Sequence, residues 1–80
     1  MTYAQADLEM AERHVAQGRR LVLEQEERIE RLRAGGHPIV EAEDFLSLLR
    51  SALDQHQHHR DAIYEALNTR AQKRPLSDAI

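Results

Sequence analysis

The chain has no cysteine and no tryptophan, one phenylalanine, two tyrosines, three glycines and two prolines in 80 residues. Without thiols there is no disulfide framework, no thiolate metal ligand and no cysteine nucleophile. With so few aromatic rings, a platform for stacking nucleic-acid bases is poorly supplied. No apolar run approaches the roughly 20 residues that a membrane-spanning helix needs. The opening stretch MTYAQADLEMAERH has no basic region leading into a hydrophobic one, so no secretory signal is expected and a cytoplasmic protein is the expectation. The chain also lacks a glycine-rich phosphate cradle, a nucleophile motif and carboxylates paired at catalytic spacing. It is therefore expected to be no enzyme and to carry no cofactor.

Charged residues make up 31% of the chain, with a formal net charge of −3. The two signs are interspersed, so no broad field favours nucleic acid or an anionic membrane. Apolar residues make up 41%, and their clear periodicity argues for a folded helical chain rather than a disordered one.

The strong breaker cluster is AGGHP, residues 34–38. Its glycines supply left-handed conformations for a helix ending, and Pro38 suits a first helical position. The spacing predicts one all-α domain over residues 1–80: a helix over about 3–33, a hinge at 34–37, a helix over about 38–73 closed by Pro75, and a loose tail at 74–80. Thr2 followed by Gln5 reads as a capping box for the first helix. In that helix Leu8, Ala11, Val15, Gly18, Val22, Gln25, Ile29 and Leu32 recur in steps of three and four, a coiled-coil-like heptad pattern. In the second, Ala42, Leu46, Leu49, Leu53, His56, Arg60, Ile63 and Leu67 do the same, with Phe45, Ala52, His59 and Ala66 along one edge. Acidic residues lead each helix and basic residues close it, as the helix dipole prefers. Glu9–Arg13, Glu24–Arg28 and Glu27–Arg31 are spaced for ion pairs on the solvated side.

A short hinge makes the helices antiparallel neighbours. Folding about Gly35–Gly36 pairs positions whose numbers total about 71. Leu8 meets Ile63, Ala11 meets Arg60, Val15 meets His56, Gly18 meets Leu53, Val22 meets Leu49, Gln25 meets Leu46 and Ile29 meets Ala42. A lone hairpin leaves much of each stripe wet, and a chain this small without disulfides needs another source of stability. Two hairpins are expected to close into a homodimeric four-helix bundle. The interface would be drawn from Leu8, Val15, Val22, Ile29, Phe45, Leu46, Leu49, Leu53, His56, Arg60, Ile63 and Leu67.

The stretch HQHHRD (residues 56–61) raises a chemical question. His56 and His59 share a helix face, and the register brings His14 to their level with Glu9 or Glu12 nearby, a set that zinc accepts. Yet neither His-Glu-x-x-His nor Glu-x-x-His stands on the inner stripe. The plainer reading is a polar layer in the bundle, with His56 and Arg60 hydrogen-bonding across the interface and Gln25 forming a second layer. Protonation of His56 or His59 would then disfavour assembly. His58 points toward Asp54 and Asp61 and reads as a solvated side chain. A phosphotransfer histidine is disfavoured, because no acidic residue directly follows His14, His56 or His59.

The segments AERHVAQGRRLV and HHRDAIYEAL carry a family resemblance. The words Ala11-Glu12-Arg13-His14-Val15 with Gly18, and His56 with His59-Arg60-Asp61, resemble a group of short hairpin proteins of alphaproteobacteria over residues 8–67. That group has no assigned activity, so the resemblance implies a helical hairpin and no site residue. Where its members often have a polar capping pair after the hinge, this chain has His37-Pro38, which bears only on how the second helix starts.

These observations predict a small interaction or regulatory module, acting as a homodimer or as an adaptor for another protein. One alternative is an RNA-binding hairpin dimer using Arg13, Arg19 and Arg20, although seven acids share that helix. The other is a metal protein built on His14, His56 and His59.

Overall fold

A computed structural model describes residues 3–78, with side-chain surroundings up to Thr69. Two helices are the secondary structure of these residues: α1, Gln5–Ala34, and α2, Val40–Asp78. They lie antiparallel in a rod of 70 × 16 × 16 Å, so the expected all-α hairpin is observed.

Each helix end has a local cause, and several differ from expectation. The N-cap of α1 is Ala4 in an extended conformation. Its N–H donates to Asp7 Oδ2 at 2.8 Å, the half of a capping box that a carboxylate at the third helical position supplies. Gln5 is therefore the first helical residue rather than the capping partner of Thr2, which lies outside the described residues. At the other end, the His37 N–H donates to the Leu32 carbonyl at 2.9 Å and the Gly36 N–H to that of Arg33 at 3.0 Å. This is a Schellman closure, and it needs one left-handed residue. Gly36, at φ 73°, supplies it alone, whereas Gly35 keeps a φ of −85°.

The reversal also consumes Pro38. Ile39 accepts the first helical bond of α2, from the Glu43 N–H at 2.8 Å. Pro38 thus precedes the cap instead of opening the helix. At the far end, α2 passes Lys73 and Pro75 and stops at Asp78, where a break and a loose tail were expected. Pro75 forfeits its bond to the Ala71 carbonyl and its ring crowds that carbonyl, but so near the end of α2 little of the helix lies beyond it to be disrupted. The basic residues near this end consequently stand ahead of the last turn, which carries none. Residues 79 and 80 of the expected tail lie outside the described residues.

The packing register agrees with the heptad pairing. A Cβ built on Gly18 would stand 3.1 Å from Leu53 Cδ1, so α1 and α2 lie close together at this level. Leu8, Ala11 and Ile63 form a buried cluster with Tyr3 and Leu67 packed against it. Val15 and Ile63 are the most enclosed large side chains, at 2% and 1% exposure, and Ile29 and Leu46 are buried nearer the hinge. Gln25 is buried as well and differs from the pairing scheme. Its Nε2 donates to the Ala42 carbonyl at 2.9 Å, one turn of α2 away from Leu46, because a buried amide must find an acceptor and the small Ala42 leaves its backbone within reach.

The hairpin exposes 6390 Å², whereas a compact monomer of this mass exposes about 4,900 Å². Part of the difference belongs to the end of α2. In this register Tyr3 lies level with about residue 68, so the last turns of α2 overhang α1.

Candidate functional site

Heptad spacing sorts the residues flanking the core into two edges of the hairpin. On one edge Glu12, Arg19, Glu26 and Arg33 run along α1, and Glu43, Arg50, Gln57 and Tyr64 run back along α2. Arg50 and Glu26 meet here at 2.8 Å across the helices. The groove beside them holds Ile29, Glu30, Arg33, Glu43 and Leu46, and Arg33 also approaches Glu30 at 3.8 Å. Glu26 and Arg50 are thus paired within one chain, whereas Glu12 and Arg19 stand level with the uncharged Tyr64 and Gln57. Farther along, Leu8, Glu12, Arg60, Asp61 and Tyr64 line a second shallow groove.

The other edge is different in kind. Asp7, His14, Leu21 and Arg28 recur every seven residues on α1, as Phe45, Ala52, His59 and Ala66 do on α2. Leu21, Phe45 and Leu49 share one groove with Glu24, Gln25, Arg28 and Arg31. A neighbouring groove brings Phe45 together with Leu32, Pro38 and Ala42. Leu21 is 39% exposed, Phe45 52% and Leu48 68%. Leu48 lies one turn from both Phe45 and Ala52 and so extends the same patch. Leu23, Val40 and Tyr64 are also exposed, but their spacing sets them apart from it.

Of the residues expected at an interface, Leu8, Val15, Ile29, Leu46 and Ile63 are buried between α1 and α2 of one chain. Val22, Leu49, Leu53, His56, Arg60 and Leu67 are half-buried along the seam, and Phe45 stands out in solvent. The buried residues are thus spent on the hairpin itself. Among the large apolar side chains that a single chain leaves exposed, Leu21, Phe45 and Leu48 lie together on one edge.

The histidines separate into three situations. His14 and His56 come together across the helices, with ring centroids 5.4 Å apart. His59 turns its ring edge-on to Tyr3 at 6.2 Å, which takes it out of the expected three-histidine convergence. Among the described residues no three His, Cys, Asp or Glu side chains are grouped to hold a metal ion. His58 is exposed, with Nδ1 donating to the Asp54 carbonyl at 2.8 Å and lying 3.6 Å from Asp54 Oδ2. That backbone hydrogen bond and then the charge of Asp54 raise its pKa above 6.5, against an opposing effect of desolvation and with a lesser contribution from Asp61. Its expected solvated role is observed.

Arg60 makes two contacts to Asp61, at 3.0 Å through Nε and 2.9 Å through a terminal nitrogen. Within the chain its guanidinium is therefore committed to its own helix rather than to His56. Sequence reasoning missed the Glu26–Arg50 bridge. The signal was present in the alternating charges of Glu12, Arg19, Glu26 and Arg33 at seven-residue spacing, but it becomes readable only once the register is set.

No family model, curated protein or solved structure matches the chain, so the chemistry of its faces carries the functional reading. Among the described residues, no helix is long and apolar enough to cross a membrane.

Proposed function

We propose that this chain is a non-enzymatic protein-interaction module that works as a homodimer, two hairpins closing on the Leu21–Phe45–Leu49 edge into a four-helix bundle. The observation that carries this reading is the contrast between the two edges. One carries the Glu26–Arg50 bridge, with Tyr64 exposed farther along it, while the other gathers Leu21, Phe45 and Leu48 in water beside one groove. Exposed apolar patches of this kind mark association surfaces.

The sequence along that edge favours a second copy of the chain as the occupant. Its α1 column runs from acidic Asp7 to basic Arg28, and its α2 column from large Phe45 to small Ala66. Two copies stacked with hinges at opposite ends set Asp7 against Arg28 and Phe45 against Ala66, matching charge and size at once.

Light scattering over a concentration series tests the proposal. A mass of two chains at micromolar concentration is expected. A mass of one chain throughout would assign the apolar edge to a foreign helix and overturn the homodimer.

A further inference from the structure

His14 and His56 bring two imidazole rings together across the hairpin. Two imidazoles bound tetrahedrally to one zinc ion, each nitrogen at about 2.0 Å, place their ring centroids about 5 Å apart. The observed separation is 5.4 Å, with the rings tilted by 46°. The two rings come from different helices, at positions whose backbones the hairpin register already holds level. His14 is exposed and His56 half-buried, so an ion can reach the pair without opening the core. The cation nearest in sequence to His56 on its own helix face, Arg60, is drawn to Asp61 and does not contest the position.

We propose that His14 and His56 form a two-histidine clip for a divalent transition-metal ion, with zinc or copper as the ligand class. Imidazole nitrogen suits these ions, whereas magnesium and calcium prefer oxygen donors. Both ligands belong to one chain, so the clip goes beyond the interaction module proposed above and does not depend on it. Its physical consequence is a cross-link between α1 and α2 near the middle of the rod, which favours the folded hairpin over the unfolded chain.

The test uses the full chain purified without a polyhistidine tag, melted with and without zinc chloride at several protein concentrations. Reading the difference at each concentration separates the metal effect from self-association. Saturating zinc is expected to raise the melting midpoint by on the order of 10 °C, and magnesium to leave it unchanged. Acidification to about pH 5 should abolish the zinc shift, because protons compete for the ligating nitrogens. His14→Gln and His56→Gln should each remove it, each measured against its own metal-free melt, while His58→Gln keeps it. Equilibrium dialysis should give one zinc per chain, a readout that stands even if a variant folds poorly. No zinc shift in the natural chain, a shift that survives both the His14 and His56 substitutions, or one lost in His58→Gln would overturn the clip.

Discussion

Gly18 balances two opposing effects that can be weighed against each other. In a helix interior glycine costs about 1 kcal/mol relative to alanine. Against that, a new Cβ would lie 3.1 Å from Leu53 Cδ1, though at ordinary contact distance from Leu53 Cβ and Cα. Leu53 is half-buried, so the tip of its side chain has room to turn away. Gly18→Ala is therefore expected to stabilise the hairpin by about 0.5 kcal/mol, read as a higher melting midpoint. Gly18→Leu, too large for any such adjustment, should cost about 1–3 kcal/mol. His58 gives a second prediction at this scale. Its pKa is raised chiefly by the Asp54 carbonyl and then by the Asp54 carboxylate. Asp54→Asn should lower its NMR titration midpoint only part of the way toward 6.5, because the backbone acceptor is untouched. For a histidine raised on folding, the stabilisation is fully present below 6.5 and disappears as pH climbs through the folded-state midpoint. A midpoint that does not move in Asp54→Asn would assign the whole effect to the backbone bond.

Among the elements, the reversal between α1 and α2 rests on Gly36. At φ 73°, an alanine there would pay about 1–2 kcal/mol for a left-handed backbone. Gly36→Ala should lower the melting midpoint while leaving the helical content of the folded state unchanged. The two helices and their hinge were legible in sequence because a three-four apolar stripe and a glycine pair are local signals. Helix boundaries were less so. Ala4 has no side-chain acceptor, and the helix starts there because Asp7 reaches back to its N–H. Pro75 reads as a stop by its missing donor, yet α2 carries on to Asp78. Gln25 was legible as a polar residue in an apolar stripe, but not its acceptor, since any carbonyl on the facing helix within reach would satisfy the same amide.

For the whole molecule, the decisive feature is a rod with the Glu26–Arg50 bridge on one edge and the exposed Leu21, Phe45 and Leu48 together on the other. Phe45 stands on the apolar edge away from the buried seam, so Phe45→Glu should leave the hairpin helical while reducing the mass in solution from two chains to one. The melting midpoint of the natural chain should rise with protein concentration, as mass action requires of a dimer, and that of Phe45→Glu should not. A concentration-independent melt of the natural chain would contradict self-association.

Periodicity along the chain was enough to establish the two helices, the turn between them and the level at which Gly18 meets Leu53, since each follows from residue spacing and a short hinge. It did not say that Glu26 would reach Arg50, that Gln25 would choose Ala42, or that His56 would keep His14 while His59 went to Tyr3. Those outcomes depend on how far each helix is turned about its own axis once the pair has packed. A rotation of a few tens of degrees leaves the stripe intact and changes every neighbour along its edges.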